Sequence, residues 1–125
     1  MNREKLAALY KEYELEKEDV FKHKHYVIIT RSGVEKIQAK GNIEVNYEVI
    51  RCEKDFCVVK AYNDKLSTFG SALKGSTHTD GNTNTWYVME MAEKRALSRL
   101  VLKQTGFYSL GVFGEDESED FKNNG

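Results

Sequence analysis

The sequence predicts an α+β fold in which a long C-terminal helix packs on an antiparallel meander of three to four strands. Residues 43–51 alternate between apolar and polar side chains, which is typical of a half-exposed strand. Short turns of charged and amide residues join this segment to two further apolar runs, and short turns favour antiparallel neighbours. Residues 86–107 then show one long helical pattern, which Thr105 and Gly106 close.

The N-terminal half contains two predicted helices and the first strands. Residues 3–17 carry Leu and Tyr at helical spacing among Lys and Glu, which predicts an amphipathic N-terminal helix. Residues 25–30 are a β-branched run and predict a strand. Ser32 opens a capping box, Ser-Gly-Val-Glu, that starts a short helix ended by Gly41. Three further strands are predicted at residues 43–51, 56–62 and 66–73.

The C-terminal part joins the meander to the long helix through a polar loop. Residues 74–84 have almost no apolar side chains and predict a mobile loop. Asn84 or Thr85 can cap the helix that follows. Residues 107–113 are expected to pack back on the core or on a neighbouring subunit.

Charge is distributed unevenly along the chain. We expect one domain, residues 1–113, followed by an acidic disordered tail, residues 114–125. Residues 115–120 hold five acidic side chains, whereas residues 20–114 hold 14 Lys and Arg against 9 Asp and Glu. A basic body with an acidic end is typical of a polyanion binder whose tail contacts partners or competes for the binding surface. The alternative is a solubilising tail on an ordinary surface.

Composition excludes several classes of protein. No apolar run approaches the roughly 20 residues of a membrane span, and the N-terminus does not resemble a secretory signal. With two cysteines, the expected setting is the reducing cytoplasm, with free and partly buried thiols. A zinc site from Cys52, Cys57, His23 and His25 is an alternative that lacks the usual ligand spacings. We therefore expect no metal and no cofactor.

Three cations form a row on the long helix. Arg95, Arg99 and Lys103 stand at i, i+4 and i+8, which places them on one line. A helix that is apolar on most sides is expected to be buried or sandwiched, and cations on it need anionic partners or a solvated groove. We expect a groove that holds a nucleic-acid backbone. The alternative is pairing within the fold, with Glu44 or Glu48 on the sheet.

Two segments resemble a known family. Ala92-Glu-Lys-Arg-Ala-Leu-Ser-Arg99, closed by Thr105-Gly106, resembles the Ala-Glu-x-Arg-Ala-x-x-Arg helix of the single-strand annealing recombinases, the superfamily of RAD-fifty-two-like, ERF and Red-beta type proteins, many of them phage-encoded. The segment 69–75 before the polar loop resembles the family's strand that leads into that helix. Segments 29–34 and 43–51 are similar to its N-terminal portion.

The resemblance implies a non-enzymatic protein that binds single-stranded DNA in the groove of a homo-oligomer, often a ring. Such a protein holds the phosphates, leaves the bases exposed and anneals complementary strands without ATP in recombination or repair. The chain agrees in lacking a Gly-x4-Gly-Lys-Ser/Thr loop. The acidic tail is expected to contact a replication or repair protein. The predicted nucleic-acid-binding residues are Arg95, Arg99, Lys103, Lys60, Arg51 and Lys74.

Two other functions compete with this hypothesis. One is a protein-interaction module on the same scaffold, which would use helix 3–17 and the acidic tail as contact surfaces. The other is a metal-dependent nuclease using Glu90, Glu93 and Asp80, although no carboxylate–histidine cluster supports it. The large apolar residues at the start of the long helix are interpreted mainly as core or interface residues and only secondarily as base-stacking platforms; they are Trp86, Tyr87, Met89 and Met91.

Overall fold

A computed structural model of the chain describes residues 3–76 and 80–117. Within these ranges the fold is α+β, with three α-helices and two three-stranded sheets, which confirms the predicted class. The helices are α1 (Arg3–Glu12), α2 (Arg31–Lys40) and α3 (Val88–Thr105). The strands are β1 (Val20–His23), β2 (Tyr26–Ile29), β3 (Asn46–Cys52), β4 (Phe56–Tyr62), β5 (Ser67–Leu73) and β6 (Val112–Gly114).

The predicted meander is the sheet β3-β4-β5, which we call the meander sheet. Its strands are antiparallel, and β3 contains a bulge between Val49 and Arg51. Alternate residues of β4 and β5 point to an inner face that is buried; they are Cys57, Val59, Ala61, Thr68, Gly70 and Ala72. The intervening residues point to an outer face that stays open to solvent, where Phe69 is 49% exposed.

Helix α3 packs on the inner face of the meander sheet. Gly70 permits the approach, since a Cβ atom there would lie 2.5 Å from the Ala96 nitrogen and still closer to the Ala92 carbonyl oxygen. Small residues on both elements therefore bring the helix backbone against the strand. Thr68 adds a buried hydrogen bond, donated by its hydroxyl to the Ala96 carbonyl at 2.7 Å.

The second sheet, β1-β2-β6, was not predicted as a separate unit. Strands β1 and β2 form an antiparallel hairpin, and β6 pairs with β2 in parallel. This sheet and α2 pack on the other side of α3. At Gly114 of β6 a Cβ atom would lie only 2.9 Å from the Ser98 Cβ atom. Helix α3 is thus sandwiched, as its apolar character on most sides predicted.

The main core lies between α3, α2 and the second sheet. Ile37, Leu100 and Phe107 are fully buried there, and Val112 of β6 joins them, which confirms that the segment after α3 packs back on the core. A smaller cluster lies between the N-terminal half of α3 and the meander sheet; its buried members are Cys57, Val59, Ala72, Val88 and Ala92.

Three helix boundaries differ from prediction. Helix α1 ends at Glu12, because Glu14 takes a left-handed φ of 55°. Helix α2 is capped by Thr30, whose hydroxyl accepts from the Gly33 nitrogen at 3.1 Å, and not by Ser32, which lies inside the helix. Helix α3 begins after Tyr87 without a side-chain cap, although it ends as predicted at Gly106 in the left-handed conformation.

The region predicted as a disordered tail begins with ordered residues. Gly114 belongs to β6, and Glu115–Glu117 form a 3-10 turn that packs against α3. Residues 118–125 of the predicted tail, and residues 77–79 of the predicted mobile loop, lie outside the described residues. The described ends of that loop are held together, since Lys74 and Thr83 form a bridge.

Candidate nucleic-acid interface

Arg95, the first member of the predicted cation row, is engaged inside the fold. It is only 2% exposed. Its Nη1 and Nη2 each donate at 2.8 Å, to the carbonyls of Ser71 and Asn82, and its Nε donates to the Asp116 carbonyl at 3.3 Å. The guanidinium thus joins β5, the loop after it and the 3-10 turn Glu115–Glu117, which we call the acidic turn. This position corrects the expectation that Arg95 faces an open groove.

Arg99, one turn further along α3, is also engaged by the fold. Its Nη1 donates to the Phe69 carbonyl at 2.8 Å. Its Nε lies 3.2 Å from the Glu117 Oε1 atom, and this carboxylate is buried. The predicted alternative of internal pairing therefore describes Arg99, but with a partner from the acidic turn instead of Glu44 or Glu48.

The two arginines fit the strand because their spacings match. Residues four apart on a helix are separated by about 6 Å along its axis, and residues two apart on an antiparallel strand by about 6.8 Å. Arg95 and Arg99 therefore reach Ser71 and Phe69, whose carbonyls point to the edge of β5 that pairs with no described strand. Lys103 is exposed, and its ammonium lies 5.2 Å from the Tyr108 ring centre. Phosphate binding at Lys103 stays a prediction.

The acidic turn holds several elements at once. The Glu115 carboxylate accepts from the Arg31 nitrogen at 2.9 Å, at the start of α2. The Asp116 carboxylate accepts from the Ser98 hydroxyl at 3.1 Å. With the Glu117–Arg99 ion pair, these contacts tie the C-terminal turn to α2 and α3. Its acidic side chains consequently act as structural partners of this basic helix.

Two other predicted residues, Arg51 and Lys60, lie on the outer face of the meander sheet. The outward orientation of Lys60 follows from the alternation along β4, in which the neighbouring residues Val59 and Ala61 are buried. Arg51 pairs in register with Val58, which shares that face. On α3 the fold thus engages Arg95 and Arg99 and leaves Lys103 exposed. The other three predicted residues form an open group on and beside the sheet.

Aromatic rings accompany the cations on this outer face. The Arg51 guanidinium carbon lies 5.7 Å from the Phe56 ring centre, and the Lys60 ammonium lies 5.3 Å from that of Tyr62. Phe69 of β5 pairs directly with Lys60. Planar rings beside ammonium and guanidinium groups can both stack on bases and contact phosphates.

Acidic residues on the same face reduce its positive charge. Arg51 forms an exposed ion pair with Glu53 at 3.0 Å, and Glu48 pairs in register with Lys60. Exposed ion pairs contribute little to stability and are screened by salt. A phosphate group can therefore exchange with Glu53 at Arg51 at low cost.

At one end of the meander sheet, where residues 53–55 join β3 to β4, two lysines flank an exposed tryptophan. We call this the turn end of the sheet. The Lys74 ammonium lies 4.5 Å from the Trp86 ring centre, and the Lys54 ammonium lies 5.3 Å from it. Trp86 is 57% exposed, so it is not a core residue. Lys74 was predicted as a binding residue, whereas Lys54 was missed. Its position in a turn gives it no local signal, because only folding brings it beside a ring 32 positions away in the sequence.

The alternative metal-dependent sites are not formed. Cys52 and Cys57 lie on the meander sheet, whereas His23 belongs to the second sheet and His25 to its hairpin turn. Across residues 3–76 and 80–117, no group of three His, Cys, Asp or Glu side chains could hold a metal ion. The same finding applies to the nuclease hypothesis, which named Glu90, Glu93 and Asp80.

No family model, no curated protein and no solved structure matches this chain. None of the helices in the described part of the chain is long and apolar enough to cross a bilayer. The resemblance to the annealing recombinases consequently rests on the segments quoted from the sequence.

Proposed function

We propose that this protein binds single-stranded DNA on the outer face and turn end of the meander sheet and promotes ATP-independent annealing of complementary strands. The observation that carries the proposal is the exposed Trp86 with Lys54 and Lys74 beside it, at the end of a sheet whose outer face displays Phe69 and Lys60. We call these five residues, together with Arg51, the aromatic-basic surface.

The chemistry of this surface suits an extended single strand. Every base has a π-face, so stacking on an exposed ring tolerates any sequence and contributes about 1–3 kcal/mol per base. Ammonium groups beside the rings can contact the phosphates of the same nucleotides. An open sheet face also leaves one side of a bound strand free for a complementary strand.

Family resemblance supports the annealing step and the proposed setting. The resembling segments imply recombination or repair, a homo-oligomer that can close into a ring, and a tail that contacts a replication or repair protein. Two free cysteines suit a reducing compartment, and we propose the cytoplasm. No catalytic role is proposed.

The binding test uses a labelled single-stranded oligonucleotide at increasing salt. Affinity should fall steeply with salt, with a slope of about −0.7 per phosphate contacted. Lys54→Ala with Lys74→Ala should weaken binding and flatten the salt-dependence slope. Phe69→Ala should weaken binding but leave that slope unchanged. The matched control is Lys11→Ala with Lys22→Ala, since both lysines are exposed and lie off the meander sheet.

Two results would contradict the proposal. Absence of binding at low salt would remove it entirely. Equal losses in the test and control pairs would show that only general charge matters and that the aromatic-basic surface is not the site. Annealing is measured separately, as faster pairing of complementary labelled strands in the presence of the protein and without ATP.

A protein-interaction module remains the second candidate, because one observation favours it. Strand β3 is an edge strand, with β4 as its only described strand partner. Its residues Val49 and Ile50 are 50% and 48% exposed. An open strand edge with apolar side chains can accept a strand from another chain. This function predicts partner capture through β3 and no affinity for oligonucleotide.

A further inference from the structure

Cys52 and Cys57 face each other across the β3–β4 hairpin. They are direct partners in the strand register, so their side chains lie on the same face of the sheet. Cys57 is buried and Cys52 is exposed, and both are free thiols. They are the two cysteines of the whole sequence, so an intramolecular disulfide can form only between them.

Their position in the hairpin suits a disulfide. The next pair toward the turn is hydrogen-bonded, with the Glu53 nitrogen donating to the Phe56 carbonyl at 2.6 Å. Because hydrogen-bonded and non-hydrogen-bonded pairs alternate, Cys52 and Cys57 form a non-hydrogen-bonded pair, whose Cα atoms are about 4.5 Å apart in such ladders. Disulfides occur at Cα separations of about 4.4–6.8 Å. Side-chain rotation is therefore the main movement that bond formation needs.

The two thiols differ in access to solvent. Burial, and then a hydrogen bond with the Cys52 side chain, raises the pKa of Cys57 to about 11. Cys57 is therefore a protonated thiol at neutral pH, held against its partner. Cys52 is the sulfur that a solute can reach. Exposure suits Cys52 to react first with a solute, and the direct register of Cys57 with it places the second thiol to resolve the product.

We propose that Cys52 and Cys57 are a reversible redox pair, which a peroxide converts to an intramolecular disulfide. The Cys52 sulfur attacks one peroxide oxygen, the O–O bond breaks, and a sulfenic acid and one water form. The Cys57 sulfur then attacks the sulfenic sulfur and the S–O bond breaks. Hydroxide leaves and takes up the Cys57 thiol proton as a second water. Two thiols are thus oxidised, and one peroxide is reduced to two waters.

A small dithiol returns the pair to the reduced state by thiol–disulfide exchange, in which its own sulfurs become the new disulfide. A disulfide of this kind is transient in a reducing compartment, where such bonds serve redox sensing more often than stability. The inference does not depend on the proposed function, because thiol counts and masses require no nucleic acid.

The test treats the folded chain with hydrogen peroxide and measures intact mass and free thiols. The wild-type monomer should lose two hydrogen atoms and both thiols, and dithiothreitol should restore them. Cys52→Ser should leave the Cys57 thiol largely unreacted. Cys57→Ala should leave Cys52 as a sulfenic acid that a dimedone probe captures. Circular dichroism establishes that each variant is folded before treatment.

Specific products would overturn the proposal. If the folded wild type gained oxygen atoms or formed linked dimers as readily as Cys57→Ala, then Cys57 would not resolve the intermediate. If both thiols survived peroxide in the wild type but were lost after unfolding in urea, the hairpin would be protecting them instead of pairing them. If Cys57→Ala fails to fold, Cys52→Ser still tests the order of reaction, since Cys52 is exposed: loss of its Cys57 thiol as fast as in the wild type would overturn the proposal.

Discussion

Along β5 the edge carbonyls of the meander sheet are hydrogen-bonded by arginine and asparagine side chains, whereas along β3, at the opposite edge, no described strand or helix provides such cover. Arg95 and Arg99 donate to Ser71 and Phe69 on the β5 side. The β3 residues are exposed throughout. The same sheet thus has one edge closed by side chains and one edge available to a partner.

This difference shows that a cation row need not be a binding row. The two arginines donate hydrogen bonds to strand carbonyls that could otherwise pair with another chain. Their guanidinium groups are therefore engaged by partners within the fold. Cations with free access lie instead on the outer face and at its turn end, where Lys60, Lys54 and Lys74 stand beside aromatic rings.

The largest effect is expected where α3 touches β5. Gly70→Val places side-chain atoms where the Ala92 carbonyl and the Ala96 nitrogen already lie, so the helix must move off the closed edge. We expect a loss of about 3–5 kcal/mol in the free energy of unfolding, measured by urea denaturation with circular dichroism. Ser71→Ala on the outer face of the same strand is the control, at about 0.5 kcal/mol or less. Equal effects would mean that the approach at Gly70 is not tight.

Removing the first arginine should open the closed edge. Arg95→Met keeps much of the side-chain volume but removes the guanidinium donor from the carbonyls of Ser71, Asn82 and Asp116. The Ser71 carbonyl keeps only the longer bond from the Asn82 Nδ2 atom, at 3.3 Å. Because the lost bonds are part-buried and Arg95 itself is buried, we expect a loss of about 2–4 kcal/mol in the free energy of unfolding. Lys103→Ala, on the same row but exposed, should change it by about 0.5 kcal/mol or less. An Arg95→Met variant of wild-type stability would show that the edge does not need this donor.

The long helix and the meander could be predicted because their signals are local. Alternation in 43–51 and the turns at 53–55 and 63–65 place β3, β4 and β5 within a few residues of their observed bounds. Strands β1 and β6 were missed because they are short and lack the β-branched run that indicates β2. The pairing of β2 with β6, such as Val27 with Val112, depends on contacts far apart in sequence.

The candidate site was only partly predictable for the same reason. Helical spacing correctly aligned Arg95 and Arg99, but their carbonyl acceptors come from a strand whose position only the folded chain defines. Trp86 was interpreted as a packing residue because its neighbours are apolar. Its exposure, and the approach of Lys54 and Lys74, follow from the meeting of a turn, a strand end and a helix start.

A smaller effect is expected at the ion pair beside the closed edge. In a double-mutant cycle with Arg99→Ala and Glu117→Ala, we expect a coupling of about 1 kcal/mol, because the Glu117 carboxylate is buried. The exposed pair of Lys40 and Glu14 is the control and should show no measurable coupling. Urea denaturation of the four variants in each cycle gives the values. Coupling as weak at Arg99 as at Lys40 would show that the acidic turn is not held by this charge pair.

The smallest effect on stability, and the most direct test of the open edge, comes from Ile50→Lys. Ile50 lies at the β3 bulge and is already largely exposed, so the free energy of unfolding should change by about 0.5 kcal/mol or less. A lysine on an unpaired strand discourages pairing with another chain. If β3 serves as a contact edge, light scattering should show weaker self-association in Ile50→Lys than in the wild type, whereas Lys22→Ala on the second sheet should behave as the wild type does. Identical association in all three proteins would mean that the open edge is not where copies of the chain meet.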